Sequence, residues 1–358
     1  MRALLHGLCE WLNTQVADLD PGSFAMVMAT GIISNAILMT GCHGCSDALF
    51  GVNVVAYPLL ILFTILRIGR FRSNLWADLI DPRLVFSFFT IVAGTDVFGV
   101  GVSLRGFVIL ASALWLCAVV LWILLIYFSF GVFAFVNSSQ QADVIHGGWL
   151  NAIVGTQSLV ILGTTVAPLF ESLSSTIFVL LHIFWGIGLG LYGTLIPVLA
   201  HRLFFREVDP DDVTPILWVV MGAAAITTNA GSTLVESETD IAFLDAMRPL
   251  IDGVSLLMWA WGTWWIPFLL LLGLWKHGIR SRPLVYTPSL WSLVFPLGMY
   301  AVASFRVSLV ADFTALHGVA EAMAWIAFGA WVATAVGLSV ASWRSLLRAI
   351  QLSRMKQI

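Results

Sequence analysis

Asp96 is the residue whose type and position most directly allow chemistry, because it is a carboxylate within a long apolar segment. An ionisable side chain inside a membrane span is costly and is therefore a candidate for function. Asp96 could bind a proton or another ion and couple it to transport. It could equally form an ion pair with Arg105 or Arg306, and the sequence leaves both alternatives open.

Cysteine and histidine residues raise a second kind of chemistry. Cys42 and Cys45 form a CHGC motif, and His182 lies in another apolar segment, so a membrane-bound redox or metal enzyme is a remote alternative. The motif lacks the adjacent histidine of a c-type haem site, and no second cysteine pair completes a zinc site. No Ser–His or Cys–His arrangement predicts a hydrolase. We expect no enzymatic activity, no metal and no cofactor, and the function of the two cysteines stays open.

Residues 188–193 match the G-x-G-x-x-G pattern of dinucleotide-binding sites. The dinucleotide motif joins a strand to a helix, whereas this segment lies inside an apolar span with no strand before it. Close helix packing through Gly186 and Gly190 is the better interpretation. The net charge of −3 does not favour nucleic-acid binding, and the chain has no P-loop pattern. We expect neither a nucleotide nor a nucleic acid as a partner.

Phe295 and Pro296 lie in the segment WSLVFPLG, residues 291–298, and are typical of a constriction in a pore. Proline inside a helix removes one backbone hydrogen bond and frees the carbonyl four residues earlier. In a membrane such a break is tolerated where protein or a water-filled cavity satisfies the backbone. A bulky ring beside the break is suited to plugging a narrow pore. We predict Phe295 as a pore gate and Pro296 as a helix kink; an ordinary packed phenylalanine is the alternative.

Membrane helices must position these residues, because 59% of the 358 residues are hydrophobic and only 10% are charged. Soluble domains carry about 25% charged residues. The sequence therefore predicts an all-α polytopic membrane protein with one transmembrane domain, residues 21–343. A helix needs about 20 apolar residues to cross a bilayer. Ten such spans, numbered in chain order, are predicted at residues 22–40, 51–68, 83–103, 106–128, 145–166, 174–198, 215–235, 251–275, 288–308 and 317–342.

The odd-numbered and even-numbered spans differ in composition. Spans 1, 3, 5 and 7 are rich in Gly, Ala, Ser, Thr and Asn, whereas spans 2 and 4 consist almost entirely of large apolar residues. In a membrane, small residues allow close helix packing and polar residues face the protein interior. We predict five helical hairpins, with five inner, odd-numbered helices around a central pore and five outer, even-numbered helices. Packing of the ten helices without a common axis is the alternative.

An internal repeat supports the common axis. Every odd span contains two apolar residues followed closely by Gly or Pro, at intervals of 62 to 74 residues. Four odd spans begin with Asp-Pro or Thr-Pro, a strong helix start, and span 5 departs from this with His146-Gly-Gly. Five positive helix ends would then meet at one mouth and favour anions. The predicted pore lining, which contains no Lys or Arg and would hold an anion weakly, comprises Met28, Gly31, Val92, Gly94, Val154, Gly155, Met221 and Gly222, with Phe295 as the gate.

The distribution of Lys and Arg predicts the orientation, because both are enriched on the cytoplasmic side of membrane proteins. We predict that the protein lies in the cell inner (plasma) membrane with both termini in the cytoplasm. In this orientation 14 of the 17 Lys and Arg residues fall on the cytoplasmic side, namely Arg2, Arg67, Arg70, Arg72, Arg83, Arg202, Arg206, Lys276, Arg280, Arg282, Arg344, Arg348, Arg354 and Lys356. Residues 1–20 are predicted as an amphipathic interfacial helix, and residues 344–358 as a short basic cytoplasmic tail. The apolar face of that helix comprises Leu4, Leu5, Leu8, Trp11, Leu12 and Val16.

Three segments carry a family resemblance: PGSFAMVMATGIIS on span 1, WLNAIVGTQSL on span 5 and WSLVFPLG on span 9. On these motifs the chain resembles the tellurite-resistance/dicarboxylate transporter family. That family is TehA-like and includes fungal malic-acid and sulfite transporters and slow-type plant anion channels. The resemblance implies a homotrimer in which each protomer has its own pore, lined by five inner helices and occluded by a phenylalanine on helix 9. By the FP motif this residue is Phe295.

The leading hypothesis is a gated anion channel or uniporter-like carrier for small inorganic or carboxylate anions in the lipid bilayer. The first alternative is a proton-coupled transporter of four-carbon dicarboxylates such as malate, which would use Asp96. A sulfite or tellurite-linked exporter is a further alternative that the resemblance implies. The anion, the signal that opens the gate and the choice between channel and coupled transporter are left open by the sequence.

Overall fold

The computed structural model describes residues 2–136, 146–310 and 313–355, without the side chains of residues 2–6, 9, 310 and 353–355. All regular secondary structure in these ranges is helical, which confirms the predicted all-α polytopic class. The α-helices of this part of the chain are α1 (Arg2–Ala17), α2 (Ala25–Met39), α3 (His43–Arg70), α4 (Arg72–Leu79), α5 (Phe89–Ser103), α6 (Val108–Phe135), α7 (Asn151–Val166), α8 (Ser174–Phe205), α9 (Val219–Glu236), α10 (Ala242–Leu274), α11 (Trp291–Val310) and α12 (Ala315–Met355).

Five of these helices form a closed ring. Helix α2 packs against α5, α5 against α7, α7 against α9, α9 against α11, and α11 back against α2. These helices correspond to the odd-numbered predicted spans. The helix that follows each of them, namely α3, α6, α8, α10 or α12, packs on the outside of the ring. The inner and outer arrangement follows from composition, because small and polar residues are compatible with close packing inside and large apolar residues with lipid outside.

Burial separates the two sets of helices. In the most apolar stretch of the ring segments 85–103 and 215–236, 89% of the residues are buried, against 17% in the outer segments 43–70 and 315–352. The outer helices are also longer, with 28 to 41 residues against 15 to 20 in the ring. Short 3₁₀ turns precede four ring helices, at Val85–Phe88, Gly147–Leu150, Pro215–Trp218 and Pro288–Leu290.

By length and composition, eight helical segments of the described chain could each cross a membrane. One of them, residues 147–205, contains both α7 and α8, which are separated at Glu171 by a non-helical backbone conformation. Helix α2 is apolar but shorter than the usual span. The count of ten spans therefore stays a prediction, although the described chain contains the ten corresponding helices.

Two predicted helix starts are wrong, by eight and nine residues. Helix α3 begins at His43 rather than residue 51, so Cys45 lies in its first turn instead of a loop. Helix α10 begins at Ala242 rather than residue 251, so most of the acidic 236–250 connection is helical. The predicted starts follow the first uninterrupted apolar residues, whereas a helix continues through polar residues wherever its backbone hydrogen bonds persist.

The terminal helices meet at one end of the bundle. Trp11 on α1 donates from Nε1 to Ser345 Oγ on α12 at 3.1 Å, and Arg67 on α3 donates to the Ala17 carbonyl at 3.1 Å. Helix α12 continues through the predicted boundary at residue 343 as far as Met355. The predictions for the side chains of Arg2, Leu4, Leu5 and Arg354 and for residues 356–358 lie outside the described part.

Candidate functional site

A cavity of about 610 Å³ lies where the five ring helices begin, and we call it the N-terminal cavity. Residues at the start of every ring helix border it, namely Gly22, Ser87, Asn151, Ile216 and Ser292. The predicted convergence of five helix starts is thus confirmed. Charges of both signs also border the cavity: Asp20, Arg83, Arg202, Asp211 and Asp212. The three carboxylates offset the positive helix ends and the two arginines, so this cavity is not a simple cationic funnel.

His146 lies at the start of the α7 segment, the one ring segment whose predicted start lacks the Asp-Pro or Thr-Pro pattern. Its Nδ1 accepts a hydrogen bond from the backbone N–H of Gly148 at 2.9 Å, which caps the turn before α7. Its Nε2 therefore carries the proton and donates to the Arg83 carbonyl, in the turn region before α5. The neutral imidazole joins the beginnings of two neighbouring ring helices at the edge of the N-terminal cavity.

A second cavity, of about 180 Å³, lies nearer the ends of the ring helices, and we call it the C-terminal cavity. All five ring helices contribute to it, and its polar side chains are Asn35, Asp96, Ser158, Thr165, Asn229, Thr233 and Arg306. Arg306 at its rim forms an ion pair with Glu236. This cavity is smaller than the other and is bordered by one arginine and one carboxylate, that of Asp96, against two arginines and three carboxylates at the N-terminal cavity.

Asp96 is fully buried and borders the C-terminal cavity. The Ser158 hydroxyl on α7 donates to its Oδ2 at 2.7 Å. The predicted ion pair with Arg105 or Arg306 is wrong for the described chain, because Arg105 pairs with Asp47 and Arg306 pairs with Glu236. Arg306 lies about two turns beyond the level of Asp96 and Arg105 follows the end of α5, about two and a half turns beyond Asp96, where carboxylates of neighbouring segments reach them first.

Several polar atoms beside the C-terminal cavity have no hydrogen-bond partner within the described residues. They are Oδ1 of Asn35, Oδ1 of Asp96, Oδ1 of Asn229 and Nε of Arg306. Buried polar atoms are rarely left without a partner, so water or a transported ion is expected beside them. The polar side chains supply both donors and acceptors to this chamber.

An apolar layer separates the two cavities. At this level each ring helix places one residue that is at most 2% exposed, namely Met28, Val92, Val154, Met221 and Phe295. Four of them belong to one buried hydrophobic cluster, whereas Val92 packs in a second cluster. On four ring helices the residue four positions later already borders the C-terminal cavity: Ile32, Asp96, Ser158 and Met299. On α11 the layer lies between Ser292 of one cavity and Met299 of the other. Seven helical residues span about 10 Å, which sets the thickness of the barrier.

Phe295 is the largest side chain of this layer and is 1% exposed. Pro296 lies within α11 and therefore frees the carbonyl of Ser292, at the edge of the N-terminal cavity. Pro296 itself faces α9, because a Cβ atom on Gly222 would lie 2.8 Å from its Cγ. Gating by Phe295 and a kink at Pro296 stay predictions, since burial between two cavities is their structural setting and not a measured function.

The four glycines predicted to line the pore lie where ring helices touch. An added Cβ would meet Val97 at Gly31 (2.6 Å), Phe24 at Gly94 (3.3 Å), Phe89 at Gly155 (3.1 Å) and Pro296 at Gly222 (2.8 Å). Each glycine therefore permits the close approach of a neighbouring segment. This packing brings the apolar layer together, and the pore-lining function of these glycines stays a prediction.

Three arginines that border the cavities were not expected from the sequence. Arg83 and Arg202 border the N-terminal cavity, and Arg306 borders the C-terminal cavity. The expectation that the pore lining contains no Lys or Arg is therefore wrong for the two cavities. The apolar layer between them contains neither residue type. The missed signal is position: Arg306 lies near the end of an inner span, where its long side chain can reach a central chamber.

The G-x-G-x-x-G segment and His182 make contacts within and between helices. Gly188, not Gly186 or Gly190, is the close contact of the G-x-G-x-x-G segment, since a Cβ there would lie 2.2 Å from Gln157 Nε2. His182 bonds through Nδ1 to the Phe178 carbonyl of its own helix. Among the described residues, no three His, Cys, Asp or Glu side chains are grouped to hold a metal ion.

Comparison with known proteins gives a family match over most of the chain. A family model described as a voltage-dependent anion channel, SLAC1, matches residues 18–339. The match starts just before α2 and ends within α12, so it includes all five hairpins of the ring.

Individual relatives extend this finding to bacteria and archaea. An uncharacterised membrane protein of Mycobacterium tuberculosis strain H37Rv is 38% identical over 148 residues, which is 41% of this chain and 75% of the relative. Two uncharacterised transporters of Methanocaldococcus jannaschii are 25% and 23% identical. Those alignments include 92% and 91% of this chain and 94% and 95% of the relatives.

Proposed function

The chain belongs to the SLAC1 family of voltage-dependent anion channels, and from this premise we propose that it conducts small anions through the centre of its helix ring. It is a multi-pass membrane protein with a transport function. In the proposed mechanism an anion passes from one cavity to the other when the apolar layer opens. Phe295 is the principal obstruction, and passage down the gradient requires no chemical step.

The observation that carries this proposal is the apolar layer between two cavities that both contain polar side chains, each bordered by all five ring helices. An anion in either cavity has hydroxyl, amide and arginine donors beside it, but the layer offers none. Crossing about 10 Å of apolar lining strips the anion of water, which hydrophobic gates exploit. The largest ring in the layer, that of Phe295, is therefore the side chain whose movement or removal opens the path most.

The test is anion flux into proteoliposomes, with wild type beside Phe295→Ala. We expect the variant to conduct at least about tenfold faster, because removal of the ring opens the layer. Phe86→Ala is the matched control: Phe86 is also 1% exposed but packs against Phe130 and Trp149 and borders neither cavity. Unchanged flux in a folded Phe295→Ala protein, or equal increases in both variants, would contradict the gate.

A second candidate, a proton-coupled dicarboxylate or malate transporter, is favoured by Asp96. Its carboxylate is buried at the edge of the C-terminal cavity, and one of its oxygens has no partner within the described chain. Coupling would require that Asp96 exchange a proton during transport. If a pH gradient drives malate uptake and Asp96→Asn abolishes that drive, the coupled mechanism is correct. If the gradient has no effect on wild type, the channel is favoured.

Orientation and assembly are part of the same proposal. We place the N-terminal cavity and both termini on the cytoplasmic side of the plasma membrane, on the basis of the Lys and Arg distribution. Accessibility of single cysteines introduced into the α4 region and near Asp240 would test the orientation. The homotrimer implied by the family resemblance is also a proposal, and crosslinking in the native membrane would test it. Sulfite and tellurite-linked oxyanions are the first alternative substrates to include in the flux measurements.

A further inference from the structure

Cys42 and Cys45 lie at the junction of α2 and α3, beside the end of α2 that borders the C-terminal cavity. The backbone N–H of Cys42 donates to the Ile37 carbonyl of α2 at 3.3 Å, so this junction is tied to the ring. We propose that these two cysteines are a redox-active dithiol that forms an intramolecular disulfide reversibly, by exchange with a disulfide-bearing partner. Nothing in the anion-transport proposal requires this site.

The backbone brings the two cysteines into range. Cys42 directly precedes α3, with φ −84° and ψ 75°, and Cys45 lies in the first turn of that helix. Side chains three residues apart on a helix have Cβ atoms about 5–6 Å apart, and a disulfide needs about 3.5–4.5 Å. Cys42 lies outside the helical conformation, but its N–H donates to the Ile37 carbonyl and its carbonyl accepts from the Ser46 N–H at 3.1 Å, so formation of the disulfide shifts this junction.

The chemical environment distinguishes the two thiols. The Cys45 thiol and the Cys45 backbone N–H lower the pKa of Cys42, which lies at the positive end of a 28-residue helix. A thiol with a lowered pKa at a helix start is the arrangement of reactive dithiols. Cys42 is thus the attacking thiol, and Cys45 is the one that resolves the mixed disulfide.

Access to the pair is open. Both thiols are partly exposed, and a Cβ atom added to either neighbouring glycine, Gly41 or Gly44, would have no atom within 4 Å. One side of each thiol packs against the hydrophobic core, and the partly exposed side is where a small disulfide such as glutathione disulfide would approach. Cys117 on α6 is also exposed, but it has no cysteine within a helical turn along the chain. Because α6 is an outer, lipid-facing helix, a water-soluble disulfide does not reach this thiol.

The proposed exchange balances as follows. The Cys42 thiolate attacks one sulfur of a disulfide RSSR, forms a Cys42–SR bond and releases RS⁻. The Cys45 thiolate then attacks the Cys42 sulfur, forms the Cys42–Cys45 bond and releases the second RS⁻. The protein loses two electrons to RSSR, and the two protons of the cysteine thiols accompany the two RSH molecules formed.

Oxidation of the full-length protein in proteoliposomes with glutathione disulfide tests the proposal, followed by alkylation with N-ethylmaleimide under denaturing conditions and peptide mass spectrometry. We expect Cys42 and Cys45 to lose alkylation together and to appear as one peptide lighter by two hydrogen atoms. Cys117 is expected to stay alkylated, and dithiothreitol is expected to restore both thiols.

Two variants assign the order of attack. Cys45→Ser is expected to stop with one glutathione on Cys42, whereas Cys45 in Cys42→Ser should react about tenfold more slowly. The proposal is overturned if Cys42 and Cys45 are both alkylated after oxidation of the wild type. It is also overturned if Cys42 and Cys45 each acquire glutathione without an internal disulfide.

Discussion

The two cavities of the ring have the same five helices as walls and nevertheless differ in size and charge. The N-terminal cavity, about 610 Å³, is bordered by two arginines and three aspartates. The C-terminal cavity, about 180 Å³, is bordered by amides, hydroxyls, Asp96 and Arg306. The difference shows that a common helix ring does not impose a common chemistry, because helix starts expose backbone N–H groups and loops, whereas the C-terminal cavity reaches inside the helices, where side chains such as Asp96 and Ser158 line it.

The two cavities are expected to act differently on a passing anion. In the wide cavity several charges of both signs act on an anion and water screens them, so each single charge has a small effect on the energy of the anion. Among the described residues that border the narrow cavity, Arg306 is the one cationic side chain and Asp96 the one carboxylate, so a single substitution removes a larger share of the charge. The apolar layer keeps the two environments separate, so its packing should have the largest effect of all.

The strongest test of the separation is Gly222→Ala. The added Cβ would lie 2.8 Å from Pro296 Cγ and 3.3 Å from its Cα, and a proline ring cannot rotate away. We expect a loss of about 1–3 kcal/mol in the free energy of unfolding, together with altered flux, because α9 and α11 are forced apart. Thermal unfolding in detergent and flux measure the two effects.

Gly190→Ala is the matched control for that variant. Gly190 lies on the outer helix α8 with no atom within 4 Å of an added Cβ. Alanine is expected to be neutral there or to stabilise by up to about 1 kcal/mol, since it has the higher helix propensity. Equal destabilisation by both substitutions would show that the ring contact at Gly222 has no special importance.

The narrow cavity is tested by Arg306→Gln. This change removes the arginine from the C-terminal cavity and leaves Glu236 without its ion-pair partner. We expect about a tenfold decrease in anion flux, which corresponds to about 1.4 kcal/mol in the barrier. Arg105→Gln also breaks an ion pair, with Asp47, but Arg105 does not border the cavity. A similar decrease in both variants would mean that stability, not the cavity, is responsible.

The wide cavity is tested by the pH dependence of His146. Burial lowers the pKa of His146 below its ordinary value of 6.5, with Arg202 and Arg83 contributing in the same direction, against the Arg83 carbonyl and Asp81. A neutral imidazole is needed to accept from the Gly148 N–H. The stabilisation is therefore complete above pH 6.5 and is lost as the pH falls from 6.5 through the lower folded-state pKa.

The corresponding measurement is the melting temperature between pH 7.5 and 5. We expect the wild type to lose several degrees more than His146→Asn, because asparagine caps a helix without titrating in this range. Parallel pH profiles for the two proteins would show that protonation of His146 has no effect on this end of the ring.

The smallest effect is expected for Arg83→Gln in the N-terminal cavity. Four other charged residues border this cavity, and salt at physiological concentration screens charges beyond about 8 Å. Anion flux should decrease about twofold at low salt and be unchanged in high salt. A salt-independent decrease as large as that of Arg306→Gln would remove the distinction between the two cavities.

The sequence predicts the ring and the register of its layer. The alternation of small-residue and large-apolar spans distinguishes the inner from the outer helices, since each helix must match either protein or lipid along its whole length. The repeated apolar pair before Gly or Pro identifies Met28, Val92, Val154, Met221 and Phe295 as one level, and the cavities lie on either side of that level. Their specific functions in gating stay predictions.

Tertiary structure alone decides which side chains meet across helices. Asp96 bonds to Ser158, which is 62 residues away, and not to an arginine. Gly188 is packed whereas Gly190 is open, and Cys45 belongs to α3. Each outcome depends on the rotation of one helix about its axis, by about 100° per residue, relative to a neighbour distant in sequence. Composition and period set what kind of surface a helix has, while the partner of a single side chain is set only when two such surfaces are brought together.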